Sequence, residues 1–184
     1  MLCGCLHHST IRRHVSAQLR AASWRSIKTG AAIMLGVFVW RAVVTLVFGE
    51  HSQFLERNFP QASWPAASLA IRVARQVLLA PVLETVGMLI AFVGLRWLLE
   101  LAMRKAWLPA AYILLCGLLS WLFHGANLPS VGQGVGFMVL AALAFRLIRE
   151  WPLLTSFALV GLAHIAWNAL VTMSYFLSDA LGKI

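Results

Sequence analysis

Five apolar runs, each close to the length that crosses a bilayer, fall at about residues 30–48, 77–99, 107–124, 131–148 and 153–176. Crossing the hydrocarbon core takes about 20 helical residues, and inside it every backbone N–H and C=O has to be bonded within the protein. Runs of this length therefore predict an all-α fold, a polytopic membrane helical bundle of about five transmembrane helices. With 61% of its 184 residues hydrophobic and 11% charged, the chain is too apolar for an ordinary soluble domain. Residues 62–76, ASWPAASLAIRVARQ, are Ala-rich and place Arg72 and Arg75 three apart. They read as an interfacial helix leading into the second span.

The formal net charge of +9 raises the question of nucleic acid. The cations instead gather at the ends of the apolar runs, which is the pattern of membrane orientation, and no nucleic-acid partner is expected. Arg12, Arg13, Arg20, Arg25 and Lys28 precede the first run, Arg96, Arg104 and Lys105 surround the second turn, and Arg146 and Arg149 surround the last. All three groups share one side of a membrane if the N-terminus is cytoplasmic. Arg57, Arg72 and Arg75 oppose that orientation without outweighing it. The expected organisation is a basic cytoplasmic segment, 1–28, followed by one integral-membrane domain, 29–184, whose first span stays as an anchor because no small-residue cleavage site is evident. Cys3, Cys5, His7 and His8 crowd into six residues, too close together to surround one ion easily. Cys116 reads as a small core residue, and no disulfide framework is implied.

Once the cations at the span ends are set aside, Arg41, Glu84, His124 and His164 are the ionisable residues left inside the runs. Such groups are costly in a bilayer and are functional candidates by default. Arg41 has a side chain long enough to snorkel or pair with a neighbouring helix, so a structural role suits it. Glu84 follows Pro81 by three residues, where a proline loosens helical hydrogen bonding and leaves room for water. His124 closes the third run ahead of Gly125, Asn127 and Pro129. His164 and Asn168 are four apart in HIAWN, on one helical face. With a cytoplasmic N-terminus, Glu84 lies about 10 Å and Asn168 about 12 Å below the outer surface, the side on which His124 ends its helix.

One carboxylate, two imidazoles and an amide at similar depth compose what peptide hydrolysis needs: a base for water, a group to orient it and donors for an oxyanion. The same side chains also compose a two-histidine, one-carboxylate metal set. Packing between helices and proton-coupled transport are the readings without hydrolysis. No H-E-x-x-H or G-x-S-x-G motif is present.

The pattern resembles the CPBP family, the CAAX proteases and bacteriocin-processing enzymes also called ABI, whose motifs are E-E-x-x-x-R, F-x-x-x-H and H-x-x-x-N on successive membrane helices. PVLETVGML matches the first at Glu84, SWLFH the second at His124, and HIAWN the third at His164 and Asn168. Thr85, Leu89 and Ser120 stand where the motifs carry the second glutamate, the arginine and the phenylalanine. The resemblance covers residues 81–168 and implies a glutamic-type intramembrane endopeptidase with no required cofactor, zinc included. It further implies that Glu84, helped by His124, activates water, while His164 and Asn168 stabilise the oxyanion. The compact size is similar to bacterial members paired with C-terminal sorting signals. A membrane-anchored protein substrate and a bacterial cytoplasmic membrane follow as expectations. The alternatives are a prenylated CAAX tail as substrate, or a non-catalytic immunity or chaperone protein.

Overall fold

The computed structural model describes residues 3–48, 66–102 and 105–181, and the side chains of 15–47, 69–102, 106–174 and 176–177. The Cys3, Cys5, His7 and His8 side chains, Arg57, Arg104 and the first residues of the expected interfacial helix lie outside the described part. Helix α1 spans Cys3–Phe48, α2 Ala66–Ala74, α3 Ala80–Leu101, α4 Leu108–Phe123, α5 Val131–Ile148 and α6 Leu153–Leu181. Among the described residues there is no strand. The chain is an all-α bundle, as the apolar runs require.

Four helical stretches are long and apolar enough to cross a membrane: Val15–Val47, Leu69–Leu101, Val131–Ile148 and Leu153–Ser174. The fifth, α4, has 16 residues, about 24 Å at 1.5 Å per residue, short of the roughly 30 Å hydrocarbon core. These helices expose Leu35, Leu46, Ile90, Trp97 and Leu114, the face expected toward lipid tails. The protein is accordingly an integral membrane protein.

Two features differ from the expected layout. Helix α1 runs unbroken for 46 residues, so the basic segment and the first span are one rod with no structural boundary at residue 28. The stretch expected at the interface is likewise continuous with the second span: α2 passes into α3 through a π-helical turn, Arg75–Leu79. Helix Leu69–Leu101 is 33 residues long, about 50 Å, and exceeds the hydrocarbon core. The depth expected for Glu84 assumed a span opening at residue 77.

Helices α5 and α6 form the middle of the bundle. Helix α6 packs against α1, α3 and α5, and α5 also packs against α1 and α4. Small residues permit this closeness. A Cβ on Gly30 of α1 would run into the Ala163 carbonyl of α6, and one on Gly134 of α5 would lie 3.0 Å from the Gly117 oxygen of α4. Gly136 faces Ile33 and Trp167, where a Cβ would come within 2.8 Å of both side chains.

Toward the basic end, Phe92, Tyr112, Phe145 and Phe157 interlock with ring centroids 5.4 to 5.9 Å apart. The buried Tyr112 hydroxyl donates to the Met88 carbonyl at 3.0 Å. Arg25 of α1 meets Glu150, beyond α5, at 3.3 Å, which brings two of the basic groups to one end of the bundle. Glu84, near the start of α3, and His124, just past the end of α4, lie toward the other.

Candidate active site

Glu84 sits one turn into α3, three residues after buried Pro81. Its Oε2 lies 3.2 Å from Nε2 of His164 on α6. The two partners differ in environment: the His164 side chain is 1% exposed and that of Glu84 37%. Two aromatic rings, themselves in contact, hold the imidazole. Phe137 from α5 meets it edge-on at 4.9 Å between centroids, Trp167 stacks on it at 5.4 Å, and Phe137 also packs against Trp167 at 5.9 Å. His164 Nδ1 is buried with no hydrogen-bond partner. The ring proton is therefore placed on Nε2, where Glu84 accepts it.

His124 is the C-cap of α4, and the chain turns there by a Schellman motif. Gly125 N–H donates to the Leu122 carbonyl at 3.3 Å and Ala126 N–H to that of Trp121 at 3.0 Å. Gly125 takes φ 105°, a conformation open to glycine and strained for residues with a Cβ. Asn127 and Ser130 then bond each other reciprocally, Ser130 N–H to Asn127 Oδ1 at 2.9 Å and Asn127 N–H to Ser130 Oγ at 3.1 Å, and start α5. His124 Nδ1 is 2.8 Å from the Ser120 carbonyl, which assigns its proton to Nδ1 and leaves Nε2 the acceptor nitrogen. Its ring lies 6.3 Å from Phe137, so one phenyl ring contacts both histidines.

Asn168, one turn beyond His164, donates through Nδ2 to the Gln76 carbonyl at 3.1 Å. Gln76 belongs to the π-helical turn. The four expected residues are thus joined as follows: Glu84 directly to His164, His124 to His164 through Phe137, and Asn168 to the backbone that leads into Glu84.

Among the described residues, no group of three or more His, Cys, Asp and Glu lies together in a way that could hold a metal ion. The two-histidine, one-carboxylate set is not gathered about one point. Thr85 is buried, its Oγ1 has no hydrogen-bond partner, and its side chain faces Gly161 of α6. Leu89 packs against the core.

Arg41 belongs elsewhere. With the Gln133 amide oriented to satisfy both its neighbours, its oxygen accepts from Arg41 Nη2 and its nitrogen donates to the Pro129 carbonyl at 3.3 Å. This pairing of α1 with α5 is the structural role expected of it. Phe137, Trp167 and Gln76 are the site residues that motif spacing missed. Trp167 is adjacent to Asn168 in sequence, but no pattern in the chain distinguishes Phe137 from its apolar neighbours.

The chain matches no protein-family model, no curated protein and no solved structure. The likeness to the CPBP motifs therefore rests on Glu84, His124, His164 and Asn168 and on their order along the helices.

Proposed function

We propose that this protein is an intramembrane endopeptidase in which Glu84 activates water to hydrolyse a peptide bond of a membrane-anchored substrate. The observation that carries the reading is the 3.2 Å contact between a part-open carboxylate and a fully buried imidazole from another helix. Burying His164 among rings while leaving Glu84 accessible costs stability in a membrane and suits a base that water has to reach.

In this reading His164 Nε2–H holds one carboxylate oxygen and so orients Glu84. The other oxygen takes a proton from water as the water attacks the scissile carbonyl, then returns it to the departing amine. His124, which is linked to His164 through Phe137, is assigned to the approach by which water reaches Glu84. Asn168 has a second amide N–H, and that donor is assigned to the developing oxyanion. Compared with the roles the resemblance implies, His164 moves from the oxyanion to the base, because the 3.2 Å contact supports that pairing.

The substrate proposed is a protein with a C-terminal hydrophobic sorting or anchor helix in a bacterial cytoplasmic membrane. The site opens on the outer side, since Arg25, Arg146 and Arg149 stand at the opposite end and basic ends face the cytoplasm.

A non-catalytic packing role is the second reading. It is favoured by the fact that Glu84 and Asn168 both find partners on the facing segment, as interhelical polar pairs do. The test is a co-expressed library of C-terminally anchored proteins, cut by wild type, Glu84→Gln and His164→Ala, with and without chelator. Cleavage by wild type that both variants lose, and that chelator leaves alone, is the expected result. A wild type that cuts nothing, with a cellular phenotype that survives Glu84→Gln, moves the protein to the packing reading.

A further inference from the structure

The π-helical turn Arg75–Leu79 ends two residues before Pro81. In a π-helix each carbonyl takes the N–H five residues on, and Ala80 N–H accordingly donates to the Arg75 carbonyl. The next carbonyl in the pattern is Gln76, and its donor would be the N–H of residue 81. Proline has none. A carbonyl without a donor inside a bilayer is costly, and the Asn168 amide meets this one at 3.1 Å from across the helix interface. Asn168 lies one turn from His164 on α6, just as Gln76 lies two turns before Glu84 on the other helix. One helix pair therefore carries two polar links, and the upper link acts on the turn that sets the rotation of α3.

We propose that Asn168 is a positioning residue that supplies the Gln76 carbonyl with the hydrogen bond Pro81 cannot give, and thereby holds α3 at the rotation where Glu84 meets His164. Its consequence for catalysis rests on the endopeptidase reading; the positioning itself does not. Asn168 and Pro81 are then a matched pair. Restoring the N–H at position 81 makes the amide at 168 dispensable for holding α3, though not for the oxyanion role assigned to its second N–H, because an alanine there lets the helix satisfy Gln76 by itself.

The rotation of α3 can be read without cleavage. An ideal Cβ on Gly161 would lie 4.0 Å from the Thr85 Cβ, inside the range of about 3.5–4.5 Å that a disulfide needs. The full-length chain carrying Thr85→Cys and Gly161→Cys, with Cys3 and Cys5 changed to serine and Cys116 to alanine, is oxidised in membranes and its cross-linking rate followed. Asn168→Ala slows the cross-link about fivefold, the scale of one net hydrogen bond, and Pro81→Ala together with Asn168→Ala returns the rate to that of Pro81→Ala alone. An unchanged rate in Asn168→Ala, or the same slowing with and without Pro81→Ala, overturns the proposal and leaves Asn168 to the reacting atoms or to general packing. Should Asn168→Ala fail to accumulate, accumulation of the double variant supports the proposal and loss of both overturns it. If wild type cleaves no anchored substrate, the endopeptidase reading falls while the cross-linking result stands on its own.

Discussion

The two ends of the bundle solve the same packing problem by opposite means. At the basic end Phe92, Tyr112, Phe145 and Phe157 fill the space between α3, α4, α5 and α6, and the buried Tyr112 hydroxyl is bonded to a carbonyl. At the Glu84 end the same helices carry a carboxylate, two imidazoles and an amide, a π-helical turn, and buried Nδ1 and Oγ1 atoms of His164 and Thr85 without partners. Apolar rings would hold α3 to α6 equally well at either end. The carboxylate, imidazoles and amide at one end, which the aromatic cluster does without, are what the proposed hydrolytic role accounts for.

The largest effect is expected of Glu84→Gln, which keeps the size and a hydrogen bond to His164. Cleavage of an anchored substrate is expected to fall by about 10²–10⁴-fold, the usual worth of a general base, with expression and detergent-solution unfolding unchanged. At the aromatic end the effect inverts. Phe92→Ala is expected to cost about 3 kcal/mol of stability, read by unfolding in mixed micelles, while the turnover of the protein that remains folded stays near wild type.

The predicted helices and their approximate bounds follow from the physics of the bilayer, which admits few alternatives to apolar helices for a run such as residues 131–148. Glu84, His164 and Asn168 were also legible, since a polar residue in such a run has few innocent explanations. What the sequence concealed depends on facing partners. Nothing local marks Phe137 as the ring between two histidines. The extension of the second span back through Arg72 and Arg75 depends on a π-helical turn, whose widened bonding leaves no periodic signature in five residues. The continuity of α1 through residue 28 was hidden by charge, because Arg25 and Lys28 are no obstacle to a helix yet mark the edge of hydrocarbon.

Thr85→Val removes a buried hydroxyl that bonds nothing and keeps the shape, so stability is expected to hold or to rise by up to about 1 kcal/mol. A loss of more than that in the same unfolding experiment would mean the hydroxyl has a partner in the membrane. The Arg25–Glu150 pair is exposed on both sides, and Arg25→Gln is expected to change stability by less than about 1 kcal/mol and to matter less as salt is raised.

Whether Glu84 and His164 work as one unit is tested most directly by a double-mutant cycle on purified, reconstituted protein cutting one anchored substrate. Rates are compared for wild type, Glu84→Gln, His164→Ala and the double variant. For a base oriented by its imidazole, the double variant is no slower than Glu84→Gln alone, because the second change removes support from a group already lost. Losses that multiply, or cleavage that survives Glu84→Gln, would contradict it.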